Sequence, residues 1–315
     1  MDWLDFQRAA KSSGTNPITE VIKGRILKEL TDMAEEIDIR LSASPFKEIW
    51  ADAEFYLDLI TAQLNNREVI PVSITRPGDE SEKAESCRTL RVGFYPVSAD
   101  PFHWGHLLIG LSAIARFKLD KVVYAIAGHD PRKPEMTPPT ARHAMGRSIL
   151  DMFTPLFEHS SVALEDELDG ESSLFKILAL HAGRRIKAFY IAGSDHCRCV
   201  DPVTGSADTI QKLEEHVRSK MYGFDGRRQR ISLIFVKRGP AECSINTRLK
   251  VSCMPSLPFS ASSTVIRRAL ARRESIDKLA LLPYTAYLYI RALALYVPSR
   301  QVGGKEKPLP VKRVA

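Results

Sequence analysis

The stretch Arg91–His106, RVGFYPVSADPFHWGH, constrains this chain more than any other. Val92 to Tyr95 is a short apolar run of the kind that forms a buried strand. Pro96, Ser98, Asp100 and Pro101 then make a turn-rich connection. His103, Gly105 and His106 run straight into the helical pattern Leu107-Leu108-Ile109-Gly110-Leu111. A strand, a tight loop and a helix start aim backbone N–H groups and the positive end of a helix dipole at one point. Two histidines at that start add donors that can carry charge near neutral pH. The junction suits a phosphate whose negative charge grows during a reaction.

From Cys87 onward, short apolar runs alternate with helical stretches. Val92–Tyr95, Val122–Ala127, Ser161–Leu164, Ala188–Ala192 and Ile231–Val236 are predicted strands. Leu107–Phe117, Ala141–Phe153, Leu174–His181 and Ile210–Met221 are predicted helices. This alternation predicts an α/β fold, a doubly wound parallel sheet with helices on both faces. In such sheets ligands sit at the carboxyl ends of the strands, at the switch point. The loop from Pro96 to His103 follows the first strand and so falls there.

Residues 1–86 read as a helical N-terminal extension and linker. Pro17 can open a helix, and Ile18, Ile22, Ile26, Leu30, Met33, Ile37 and Leu41 make one apolar face. Ser44-Pro45 reads as an N-cap followed by proline at the first helical position. Ile49, Ala53, Tyr56, Leu57 and Ile60 give a second amphipathic helix. Two helices alone bury both faces poorly, so they should pack on each other and on the next domain, or on a second copy of the chain. Arg76 to Lys83 is polar and turn-rich, a linker. Residues 87–297 form the main domain. Within it, Asp201–Arg230 is a charged interruption, read as a solvated insertion. Residues 298–315 read as a disordered basic tail.

Composition narrows the function classes. With 44% hydrophobic and 26% charged residues, the 315-residue chain can bury a sizeable core. A net charge of +7 and a pI of about 9.1 favour anionic ligands such as nucleotides. Nucleic acid is the least supported partner, since only the basic tail speaks for it. The five cysteines show no paired framework and read as reduced thiols in a cytoplasmic protein. Cys197-x-Cys199 beside His196 lacks the usual two-residue gap, so no metal site is assigned. The acidic N-terminus is not a signal peptide, and Leu279–Val297 is broken by Pro283 and Arg291, so no membrane span is expected.

A second motif lies far downstream. Phe259-Ser260-Ala261-Ser262-Ser263-Thr264-Val265-Ile266-Arg267 offers cap residues, first-turn N–H groups and a guanidinium fork, all suited to phosphate oxygens. Taken together, His103-Trp104-Gly105-His106 and Ser262-Ser263-Thr264-x-x-Arg267 resemble the His-x-Gly-His nucleotidyltransferase superfamily. Within it the chain looks most like nicotinate or nicotinamide mononucleotide adenylyltransferases. Asp100-Pro101-Phe102 before His103, Asp130-Pro131-Arg132-Lys133-Pro134, Arg142 with Met145, Gly193-Ser194-Asp195, and Pro283 through Tyr289-Ile290 to Leu295-Tyr296 match that pattern in order.

The resemblance implies a Rossmann-like nucleotidyltransferase fold and transfer of AMP from ATP to a pyridine mononucleotide, with pyrophosphate released. It assigns catalysis to His103, His106 and Arg267. It assigns nucleotide binding to Ser98, Ala99, Gly105, Lys133, Arg142, Gly193, Asp195, Ser262, Ser263 and Thr264. Mg²⁺ would accompany ATP, mostly without protein ligands. Three departures stand against the pattern. Pro96-Val97 replace a usual Gly-Gly, Ala99 replaces an aromatic, and none of Trp3, Trp50 and Trp104 follows Gly193-Ser194-Asp195 to stack on a pyridine ring. They bear on the acceptor side. Alternatives are the same chemistry on another acceptor, such as phosphopantetheine or a phospho-alcohol with ATP or CTP, or a divergent nucleotide-binding protein with little catalysis.

Overall fold

The computed structural model describes residues 15–66, 73–76, 88–128, 133, 135–193, 208–237, 247–257, 261–272 and 276–296. Six parallel strands form one sheet: β1 (Leu90–Val97), β2 (Lys121–Ile126), β3 (Phe157–Ser160), β4 (Ile186–Gly193), β5 (Gln229–Val236) and β6 (Lys250–Met254). Their order is β3-β2-β1-β4-β5-β6. The chain turns outward from β1 in both directions, so the switch point lies between β1 and β4. The predicted α/β doubly wound sheet is thus the observed one.

Side chains alternate between the faces. Tyr95, Val97, Tyr124, Ile126, Ile191 and Ile234 join one apolar cluster. Phe94, Val123, Ala125, Tyr190, Leu233 and Phe235 join the other. The first face carries α3 (Trp104–Phe117) and α4 (Pro139–Asp151). The second carries α6 (Gly170–Ala179) and α7 (Thr209–Ser219).

Two predicted elements differ. Ser161–Leu164 is not a strand: β3 lies just before it, and Val162–Glu165 is a one-turn helix, α5. The Leu164 and Glu165 N–H groups bond back to the Ser161 carbonyl. The actual strand, Phe-Glu-His-Ser, is a polar edge strand with one neighbour, which an apolar-run criterion misses. The segment expected to be a solvated insertion is, over residues 208–228, part of the crossover from β4 to β5, and its last two residues open β5. Its helix α7 is capped by Asp208 and buries Ile210 and Leu213. Strand β6 escaped prediction because Lys250 and Cys253 are exposed on the other edge.

The N-terminal helices α1 (Pro17–Glu36) and α2 (Phe46–Leu64) pack into the core of the main domain. Asn16 caps α1, and Pro17 occupies its first turn. Ile22, Ile26, Leu30, Met33, Ile49, Leu57 and Ile60 are at most 1% exposed and share the cluster of α3 and α4. Gln63 donates to the Ala115 carbonyl at 2.6 Å, and Arg25 to that of Met152 at 2.9 Å. The helix ends at Glu36, before the predicted Ile37 and Leu41. The capping position of α2 is Pro45, with Ser44 donating to Glu48 at 2.7 Å instead of capping. The tail 298–315 and linker residues 77–86 lie outside the described residues.

Residues 73–76 are tied to the lower edge of the sheet by Glu158. Its carboxylate accepts from Ser73, the Ile74 and Thr75 N–H groups and the Thr75 hydroxyl, and pairs with Lys121 at 2.9 Å. Burial works to raise this carboxyl, but Lys121 and the four donors outweigh it and hold it at about 2, against an ordinary 4.5. A depressed carboxylate contributes stability that is present above its unfolded value and lost as pH falls through its folded one. Roughly 3 kcal/mol should therefore disappear between pH 4.5 and 2. Glu158→Gln should be less stable at neutral pH and should flatten the acid limb of a urea-midpoint profile; an unchanged limb would remove Glu158 as its cause.

Candidate active site

β1 continues through Pro96 and Val97, which stand in register with Ala125 and Ile126 of β2. The proline therefore does not break the strand. Its ring lies against α6, where a Cβ on Gly170 would come within 2.8 Å of Pro96 Cβ. The left-handed turn that glycine would usually supply falls at Ala99, with φ 51 and 1% exposure.

After that turn the chain buries Asp100 and Phe102 and enters α3 at His103, whose extended backbone makes it the N-cap. The His103 N–H donates to His106 Nδ1 at 3.3 Å, and the His106 N–H to the His103 carbonyl at 2.9 Å. These two bonds fold the rings onto each other, with centroids 3.8 Å apart and planes 23° apart. Phe102 meets the His106 ring edge-on at 5.2 Å, and Tyr124 donates to the His106 carbonyl at 3.1 Å. One first-turn amide expected to point at ligand is used internally: Trp104 N–H donates to the Leu281 carbonyl. Gly105 is required by contact. A Cβ there would lie 2.8 Å from Ala261 Cβ and 2.9 Å from His103 Nδ1.

Ala261 opens the second motif, so the missing side chain at Gly105 lets the two motifs meet. Helix α8 (Ser263–Arg272) starts there, with the Ser262 carbonyl accepting from Ile266 N–H. Ser263 donates to the Pro101 carbonyl at 3.2 Å. Arg267 donates to the Asp100 carbonyl, lies 3.5 Å from Asp100 Oδ2 and reaches Thr264 Oγ1 at 3.4 Å. The first turn of α8 is thus bonded to the residues just ahead of His103.

The remaining predicted residues fall into three groups. Lys133 donates to Ser98 Oγ at 2.8 Å, at the rim of the same loop. Arg142, 1% exposed, spends its guanidinium on the Thr137, Ser98 and Gly128 carbonyls at 2.8, 2.6 and 2.6 Å. It ties the loop after β1 to the loop after β2. Gly193 closes β4 beside Val236, while Asp195 lies outside the described residues. Sequence reasoning passed over two residues of the site. The sequence places Asp100 in a turn and in the pattern before His103, and Tyr296 in a terminal pattern, with no site role for either, yet their side chains meet at 2.6 Å. The pairing spans 196 positions, and no local spacing signals it.

Beside Arg142, His143 and His159 share a 3.1 Å bond on α4 and β3. Burial lowers both to about 4; Arg142 adds to this at His143, and His143 at His159. With folded values below the ordinary 6.5, the unfolded chain binds more protons between pH 6.5 and 4, so stability falls as pH drops through that window. Between pH 7.5 and 5 the unfolding free energy should fall by about 2 kcal/mol per histidine. His159→Gln should remove part of that slope in chemical denaturation; equal slopes in both proteins would exclude the pair.

Imidazoles, hydroxyls and a guanidinium gathered on one loop at the switch point can neutralise a phosphate chain from several sides. With this fold, they place the chain among the nucleotidyltransferases of the His-x-Gly-His class. No protein-family model matches it. It is 30% identical over 223 residues to a probable nicotinate-nucleotide adenylyltransferase of Thermoanaerobacter sp., covering 69% of this chain and 99% of that protein. A protein of the same description from Moorella thermoacetica is 25% identical over 232 residues, covering 71% and 94%. A Plasmodium falciparum nicotinic acid mononucleotide adenylyltransferase complexed with NaAD superposes with a TM-score of 0.49 at 17% identity, covering 66% of this chain and 97% of that one. The chain belongs to the nicotinate-nucleotide adenylyltransferase family.

Proposed function

We propose that this protein transfers AMP from ATP to nicotinate mononucleotide, or to its nicotinamide counterpart, and releases pyrophosphate. The observation that carries the reading is the stacked pair His103–His106, set at the carboxyl end of β1 with Ser263 and Arg267 bonded to the same loop. A phosphate oxygen of the acceptor attacks the α-phosphorus of ATP, and the bond to the bridging oxygen breaks. The pair of electrons leaves with pyrophosphate. No enzyme nucleophile takes part, so catalysis is alignment plus charge stabilisation.

In this reading His103 and His106 donate to the α- and β-phosphates as charge moves onto the leaving group. Ser262, Ser263, Thr264 and Arg267 hold the outer phosphates, and Ser98, Ala99 and Gly105 present backbone to the nucleotide. Lys133 reaches the phosphates from the rim. Arg142 acts by holding the Ser98 backbone, since its donors are turned to carbonyls. Gly193 belongs to the nucleotide site, and Asp195 would hydrogen-bond the ribose hydroxyls. Asp100 already accepts from Tyr296 and faces Arg267, and among the described residues no cluster of three metal-binding side chains occurs. Mg²⁺ would enter with ATP, held mostly by its phosphate oxygens, and would supply charge neutralisation there.

The catalytic unit is residues 87–297 and residues 1–86 are its extension, of which α1 and α2 share the core of that unit, in a cytoplasmic enzyme. Among the described residues no helix is long and apolar enough to cross a membrane. The test is pyrophosphate release with ATP or CTP against nicotinate mononucleotide, nicotinamide mononucleotide and phosphopantetheine. Turnover with ATP and a pyridine mononucleotide is expected. Turnover confined to phosphopantetheine, or none at all, would overturn the proposal.

A further inference from the structure

The C-terminal turn reaches back onto the ATP loop. After the one-turn helix α9 (Ile276–Leu279), helix α10 (Tyr284–Ala292) is followed by a turn in which Ala294 and Tyr296 have φ 49 and 60. Tyr296 Oη donates to Asp100 Oδ1 at 2.6 Å, and Asp100 is 2% exposed. The second carboxylate oxygen faces Arg267. Burial, and then the bond to Asp100, raise the Tyr296 phenol far above its ordinary value, so it stays a donor. Thr137 acts in the opposite sense on the same phenol, and the Thr137 carbonyl accepts from Arg142.

Helix α10 is itself held by the N-terminal extension. Glu29 of α1, 8% exposed, accepts from Thr285 N–H at 2.8 Å and from its hydroxyl at 2.7 Å, while Glu36 pairs with Arg291. A bonded path therefore runs from α1 through α10 and Tyr296 to Asp100 and Arg267.

We propose that Tyr296 is a positioning residue for ATP, and that α1 serves to anchor the turn carrying it. The proposal rests on the reading of Arg267 as a triphosphate ligand. A buried carboxylate beside that guanidinium competes with the ligand for it. The phenol takes up one of the two carboxylate oxygens and so weakens the competition. Without it, Asp100 draws Arg267 inward and the triphosphate loses its partner.

The experiment measures calorimetric affinity for a non-hydrolysable ATP analogue with no acceptor present, in the full chain. Tyr296→Phe should weaken binding about tenfold, while kcat at saturating ATP and KM for the acceptor stay within about twofold of the parent. Adding Asp100→Asn, whose amide no longer attracts Arg267, should restore affinity in the Tyr296→Phe protein; a merely structural contact would not be rescued. Glu29→Gln should weaken ATP binding in the same direction and add little to Tyr296→Phe. Unchanged affinity in Tyr296→Phe, or no rescue by Asp100→Asn, overturns the proposal. Because the affinity measurement uses no acceptor, failure of pyridine mononucleotide turnover would sink the proposed activity without touching the affinity result.

Discussion

His106→Ala is expected to lower pyrophosphate release by about 100- to 1000-fold, the usual consequence of removing one donor to developing charge. The effect should fall on kcat and kcat/KM alike, since the interaction strengthens as the α–β bond breaks. Geometry adds to it. His106 Nδ1 accepts from the His103 N–H, and its ring supports that of His103 at 3.8 Å. Losing it also removes one support of the second imidazole. His106→Asn keeps an acceptor near the N-cap and should recover fold stability more than activity. Circular dichroism and urea midpoints separate the two. A loss below tenfold in a folded His106→Ala protein would remove His106 from the reacting phosphates.

The largest loss of stability should come from Gly110→Ala. In most helices this change is favourable by about 1 kcal/mol, and Gly24 of α1, with nothing within 4 Å of an added Cβ, should behave that way. At Gly110 packing reverses the sign. The added Cβ would lie 2.0 Å from the Tyr124 hydroxyl and 2.9 Å from Phe157 Cζ. Tyr124 is fully buried, with Tyr95, Phe102 and Phe157 around its ring at 5.5, 5.7 and 5.0 Å. It cannot move aside cheaply. Moving it also breaks its bond to the His106 carbonyl. Overpacking and an unsatisfied hydroxyl together should cost about 3 kcal/mol, a fall in Tm of roughly 5–10 °C, with reduced turnover because the His106 backbone shifts. Tyr124→Phe in the same protein should recover part of the loss. A Gly110→Ala protein as stable as Gly24→Ala would show that the helix does not sit on Tyr124 in this way.

Much of this protein is legible in its sequence because the determining forces are local. Apolar runs separated by helical patterns specify β1, β2, β4 and β5, which are buried on both faces and have no alternative environment. The spacing of Ile18, Ile22, Ile26, Leu30 and Met33 specifies an amphipathic helix for the same reason. His103, Gly105 and His106 mark a helix start, and Ser263 to Arg267 mark another. Polar edge strands such as β3 and β6 were not legible, since a strand with one neighbour need not be apolar.

What only the tertiary structure decided is how distant groups divide the work. The motif offers Arg142 as a phosphate ligand, and only the structure shows its guanidinium donating to three carbonyls. Pro96 looked like a disruption of the loop, but the strand absorbs it and the left-handed turn moves to Ala99. Asp100 and Tyr296 meet across 196 positions, in a fold where Glu29 of α1 is bonded to α10. The composition and motifs of one chain settle which chemistry is available. Which of its charged side chains remain turned toward a ligand depends on what each can reach once buried, because a buried polar group takes the nearest partner that satisfies it.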